Sequence, residues 1–122
     1  MKCYAFDVDE TLEVSSSTPG PVTLAMLIEL RKEGHILGLC GNWAGVTTRV
    51  DGWHNLFSFL GQLNMQKHEF LHTIKQYVRA EEFVMVGNDH SRKEHESPDD
   101  AMFARLAGWR FICEDDFAEG KR

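Results

Sequence analysis

Two aspartates stand two residues apart in Asp7-Val8-Asp9, directly after the short apolar run KCYAF at positions 2–6. In extended backbone, residues two apart point to the same side, so both carboxylates face one space and Val8 faces the other. Carboxylates held together in this way are costly unless a cation compensates them, and oxygen ligands of this kind suit Mg²⁺. A carboxylate becomes a workable nucleophile toward phosphorus when a metal screens its charge and that of the phosphate. A second carboxyl group, protonated at the outset, can hand its proton to the leaving alkoxide. An acid-rich loop can also simply end a strand in water, and the spacing alone leaves both readings open.

The surrounding pattern alternates short apolar runs with segments of helical period. After the run at 2–6 comes a stretch rich in turn formers, Ser15 to Gly20. Pro21 then suits a first helical position, with Leu24, Leu27 and Ile28 on one face and Gly34 as the stop. Ile36–Cys40 (ILGLC) reads as a second strand, Trp43–Trp53 as a helix and Leu56–Leu60 as a third strand. His68–Arg79 is a helix with Phe70, Ile74, Tyr77 and Val78 on one face. Phe83–Val86 is a strand of the fully buried type, Asn88–Ser97 a polar loop, and the stretch from Ser97 to Gly108 a helix. Trp109–Cys113 is the last strand. Strands alternating with helices imply parallel β-α-β units with helices on both faces. In such a sheet, ligand sites lie beyond the carboxyl ends of the strands, where Asp7 and Asp9 fall.

The segment Asp7-Val8-Asp9-Glu10-Thr11-Leu12, on its preceding strand, resembles the first motif, DxDxT, of the haloacid dehalogenase superfamily, and later segments follow in that family's order. The resemblance implies a single domain over residues 1–122, a three-layer α/β/α Rossmann-like fold with a parallel sheet of strand order 3-2-1-4-5. It also implies a Mg²⁺-dependent phosphomonoester hydrolase. Asp7 would be the nucleophile that forms an aspartyl-phosphate, Asp9 the general acid/base and, through its carbonyl, a metal ligand. Thr11 completes the first motif and counts among the substrate-binding positions. Lys67 corresponds to the lysine that neutralises phosphate and nucleophile. Gly41 falls where the family has a phosphate-binding Thr or Ser, with Asn42 following as it commonly does. A backbone N–H at Gly41, or Cys40, would have to stand in for that hydroxyl, and a threonine at 41 would restore it unless Gly41 adopts a positive φ.

In the family's fourth motif, Asn88 takes the usual Asp position, Asp89 follows one residue late, and Asp100 is the second acid. Asn88, Asp89 and Asp100 thus join Asp7 and Asp9 as candidate Mg²⁺ ligands. From Asp100 to Gly108 the chain resembles the family's closing helix. Ser97-x-x-Asp100 also has the form of a capping box, with Asp100 as the partner of Ser97. Between Leu12 and Pro21 there is room only for a short flap, so the resemblance is to a capless member. Its open site would take large phosphorylated substrates or be covered by a second copy of the chain. The different class of reading is a module of the same fold, weak or inactive in catalysis, that binds phosphate or a protein partner; Gly41 and Asn88 favour it.

The remaining features set bounds. A chain of 122 residues carries a net charge of −6, with 43% apolar residues. The acidic balance speaks against nucleic acid and against anionic membranes, and no apolar run approaches a membrane span. The first residues turn acidic at Asp7, unlike a secretory leader. Cys3, Cys40 and Cys113 lie in apolar stretches without CxxC spacing, as reduced thiols of a cytoplasmic core would. His68 and His72 are four apart on a helix but lack a third ligand; with His90 and His95 they read as solvated. Lys75 reads as solvated too.

Overall fold

A computed structural model describes residues 1–61, 64–92 and 99–122 of the chain. The first apolar run forms strand β1 (Lys2–Phe6), and the later runs form β2 (Ile36–Cys40), β3 (Phe59–Gly61), β4 (Glu82–Gly87) and β5 (Arg110–Cys113). All pair in parallel in the order β3-β2-β1-β4-β5. This is the expected three-layer α/β, Rossmann-like arrangement. β1 is therefore central, which is why its residues from Cys3 to Phe6 are wholly buried and read as a continuous apolar run.

Side-chain alternation along the strands divides the core in two. Tyr4, Phe6, Leu37, Leu39, Val84 and Val86 face helices α1 (Leu24–Lys32), α2 (Ala44–Arg49), α3 (Trp53–Leu56) and α6 (Glu114–Ala118). Cys3, Ala5, Cys40 and Met85 face α4 (Lys67–Tyr77) and α5 (Asp100–Ala107). Continuing that alternation past the end of β1 puts Asp7 toward α4 and α5, while Val8 joins Tyr4 and Phe6 in the other half-core.

Several boundaries differ from the sequence reading, each for a local reason. Pro21 lies outside α1, whose N-cap is Thr23; the Thr23 hydroxyl accepts from the Met26 amide at 3.2 Å. The segment read as one helix from Trp43 to Trp53 is two short ones, α2 and α3, because Gly52 takes a left-handed φ of 75°. Leu56 and Phe57 end α3 and pack into the core, so β3 starts only at Phe59. On α4 the wholly buried residue is Leu71, and Tyr77 is 82% exposed instead of sharing the inner face. Helix α6 was not foreseen: it holds one wholly buried apolar side chain, Phe117, whose ring packs edge-on against Phe6 with centroids 5.4 Å apart.

Among the described residues no helix is long and apolar enough to cross a membrane. All three cysteines are free and buried. Lys75, though exposed, donates to the Gly108 carbonyl at 2.8 Å and so caps the end of α5. His68 is half-buried, with its ring stacked on Phe103 at 5.8 Å, whereas His72 is exposed. His95 and Ser97 lie outside the described residues.

Candidate active site

Sheet order reverses between β1 and β4, the switch point at which open α/β sheets form crevices beyond their carboxyl ends. Asp7 follows β1, its amide donating to the Val86 carbonyl at 2.9 Å. Asn88 follows β4 and is wholly buried. Lys67 is the first residue of α4 and Asp100 the first of α5. These four residues are distant in sequence, and the topology gathers them at one end of the sheet.

Lys67 Nζ donates to Asp7 Oδ1 at 3.0 Å and to Asp100 Oδ1 at 2.5 Å. All three residues are no more than 4% exposed. A lysine in the first turn of a helix opposes the macrodipole, so α4 gains nothing from its charge there. The two carboxylates are what account for it. Burial acts to lower the Lys67 ammonium, but Asp7 and then Asp100 outweigh it and hold the group above its ordinary range. One ammonium cannot compensate two buried carboxylates. The deficit falls on Asp100, pushed up by burial and then by Asp7, against the opposing pull of Lys67.

Two glycines make room for these carboxylates. A Cβ at Gly41, at the end of β2, would stand 2.6 Å from Asp7 Oδ1. A Cβ at Gly87 would stand 2.3 Å from Asp100 Oδ2. Gly41 does not have a positive φ. The obstacle to a threonine there is instead the Asp7 carboxylate itself, so the expected restoration of a hydroxyl donor does not fit this geometry. Cys40 does not supply one readily either, since it is wholly buried.

Asp9 has a different set of partners. Its Oδ1 accepts from Ser15 Oγ at 2.7 Å, and its Oδ2 accepts from Asn42 Nδ2 at 3.4 Å. β1 ends at Phe6 and the chain turns: Thr11 and Leu12 amides donate to the Val8 carbonyl, and Glu10 takes a left-handed φ of 65°. Asp9 is thereby directed toward the flap and the entry to α2, not to Lys67. Thr11 is wholly buried in this turn, and its hydroxyl has no partner among the described residues.

Asp89 and Asp100 each have partners of their own. Asp89 Oδ1 accepts from the Ser91 hydroxyl at 2.7 Å and amide at 2.9 Å, which hold its carboxyl below the usual range. Asp100 is not the third residue after a capping serine, because the N-cap is Asp99. Its carboxylate turns inward, with Oδ1 on Lys67 and Oδ2 accepting from the Asn88 amide at 3.1 Å. Sequence reasoning missed Ser15 and Gly87. Ser15 read as one more turn former, and nothing in its local pattern sets it apart.

For a divalent cation, the donors present are suitable. Asp7 Oδ2 is buried with no hydrogen-bond partner among the described residues, beside two buried carboxyl groups that share one ammonium. The acid oxygens of Asp7, Asp9 and Asp100 do not all converge within 4.8 Å. Among the described residues the group of thiol and acid ligands that does so is Cys113, Glu114 and Asp115, at the start of α6. An open cleft of about 400 Å³ lies apart from the Asp7 cluster, between α1 and α3, lined by Leu24, Ile28, Val50 and Leu56 among others.

Compared with protein-family models, with curated proteins and with solved structures, the chain has no match.

Proposed function

We propose that the chain is a phosphomonoester hydrolase of the haloacid dehalogenase type, working with Mg²⁺ through an aspartyl-phosphate on Asp7. The observation that carries this reading is the state of the Asp7 carboxylate. One oxygen is fixed by Lys67 and the other is buried without a hydrogen-bond partner among the described residues, at the switch point of the sheet. The large majority of buried side-chain oxygens that serve only the fold are hydrogen-bonded.

Asp7 attacks phosphorus, the bond from phosphorus to the ester oxygen breaks, and Asp9 gives its proton to that oxygen as it leaves. Asp9 then takes a proton from water as the water oxygen attacks the aspartyl-phosphate. Inorganic phosphate departs and Asp7 is regenerated. Lys67 keeps Asp7 in place and offsets negative charge where the phosphoryl group arrives. Asp7, the Asp9 carbonyl and Asn88 are the groups that would hold Mg²⁺, which when bound supplies charge screening between carboxylate and phosphate. Asp100 acts through Lys67, as a positioning residue.

The test is hydrolysis of p-nitrophenyl phosphate with and without Mg²⁺. We expect turnover that requires the metal and disappears in Asp7→Asn. Retained turnover in Asp7→Asn would remove the proposed nucleophile. One observation favours a second reading, a phosphate-binding module without turnover: Gly41 offers no side-chain donor where a phosphoryl oxygen would sit. Binding of inorganic phosphate with no hydrolysis by the parent protein would decide for that reading.

A further inference from the structure

Four consecutive hydroxyl residues, Ser15 to Thr18, make up the flap that follows the acidic turn, and only Ser15 is buried, at 3% exposed. Its amide donates to the Leu12 carbonyl at 3.2 Å, and its Oγ accepts from the Ser17 amide at 3.3 Å. The Ser15 hydroxyl in turn donates to Asp9 Oδ1, at 2.7 Å. Among the described residues, the other Asp9 oxygen accepts only from the exposed amide of Asn42, at the longer distance of 3.4 Å. A buried hydroxyl thus holds one oxygen of Asp9, and the second is left facing the open side.

The flap is seated by more than Ser15. Its base is closed by the bridge between Leu12 and Val22, and the Glu10 amide donates to the Thr18 carbonyl at 2.6 Å. Gly20 lies so close to the acidic turn that a Cβ there would stand 2.4 Å from Glu10 and Thr11 backbone atoms. At the far side, a Cβ on Gly45 of α2 would stand 2.2 Å from Ser16 Oγ and 2.6 Å from Ser16 Cβ. Gly45 therefore lets the flap descend onto α2, with Ser15 directed back at Asp9. Glycine inside a helix is destabilising relative to alanine, and helix stability does not explain its presence.

We propose that Ser15 is the positioning residue of the proton-transfer step. It holds Asp9 Oδ1, so that Oδ2 is the oxygen that gives its proton to the leaving group and later takes one from water. Gly45 is what permits that seating. The inference rests on the phosphatase reading above and adds which oxygen of Asp9 works and which residues hold it there.

Leaving-group dependence tests it. The p-nitrophenolate ion is a weak base that departs with little help from an acid, whereas phenolate needs the proton. Parent, Ser15→Ala and Gly45→Ala are assayed with Mg²⁺ on p-nitrophenyl phosphate and on phenyl phosphate, and inorganic phosphate binding is measured by calorimetry. Since general acid catalysis contributes about 10²- to 10⁴-fold, misplacing the acid should lower kcat on phenyl phosphate roughly 10- to 100-fold, and on p-nitrophenyl phosphate less than about threefold. Phosphate affinity should stay at the parental value in both variants. Equal losses on the two esters, or lost phosphate binding, would mean a merely structural role and would overturn the inference alone. No turnover of either ester by the parent would overturn the phosphatase reading, and this inference with it.

Discussion

Replacing Lys67 with methionine keeps the apolar stem and removes the ammonium that lies between Asp7 and Asp100. Lys67 is 3% exposed and both carboxylates are buried, so water cannot take over its part. Removing one partner of a buried ion pair costs about 3–5 kcal/mol. A second estimate bounds the loss from another direction. The cluster can relieve itself by protonating one carboxylate, and Asp100 is the one already pushed toward its neutral form by burial and by Asp7. Holding a proton at pH 7 on a group whose unfolded value is about 3.9 costs at most about 4 kcal/mol relative to the unfolded chain. Part of that cost is present in the parent, which leaves a loss of about 2–4 kcal/mol at pH 7. For a domain of this size that is roughly 8–16 °C in Tm, at about 4 °C per kcal/mol. The pH dependence has a definite sign. A carboxyl raised in the folded state contributes stability below its unfolded value, and that contribution is lost as pH rises. The deficit of Lys67→Met should therefore shrink to at most about 1.5 kcal/mol at pH 5. Adding Asp100→Asn to Lys67→Met should return most of the lost stability at pH 7. Thermal melts followed by circular dichroism at pH 5 and 7 measure all of this. A Lys67→Met protein melting within about 2 °C of the parent at pH 7, or with a pH-independent deficit, would refute the reasoning.

Gly41→Thr should lower phosphatase turnover rather than raise it, because its Cβ would displace the Asp7 carboxylate from Lys67; kinetics beside a melt separate that from misfolding. Gly87→Ala should destabilise by about 1–3 kcal/mol, as the new methyl meets Asp100 at the start of α5, and a denaturant titration reads it directly. Millimolar Mg²⁺ should raise the Tm of the parent by mass action and leave that of Asp7→Ala unmoved, by scanning calorimetry. Burial pushes the Cys3 and Cys40 thiols up to about 12, so iodoacetamide at pH 8 should label neither until the chain is unfolded in guanidinium, as counted by mass spectrometry.

The strands were legible in the sequence because a parallel sheet buried on both faces demands continuous apolar runs, while their order came only with the family resemblance. KCYAF and ILGLC meet that demand without other explanation. Asp7 and Asp9 were legible as paired carboxylates because they stand two residues apart directly after a buried strand, whereas Lys67 was singled out only through the family resemblance. Helix α6 was not legible, since one buried phenylalanine in five residues leaves no period to read. Nor was the division of labour within the acidic turn. Spacing placed Asp7 and Asp9 on one side, yet the left-handed Glu10 and the turn onto Val8 part them. One carboxylate goes to Lys67, the other to Ser15 and Asn42. Local sequence specifies what a residue can do and how its segment folds. Lys67 meets Asp7 across 60 positions and Asp100 across 33, and Gly41 and Gly87 leave space that those carboxylates fill. Such meetings depend on the parallel order of the sheet and on which helix packs on which face, and only the tertiary structure decides them.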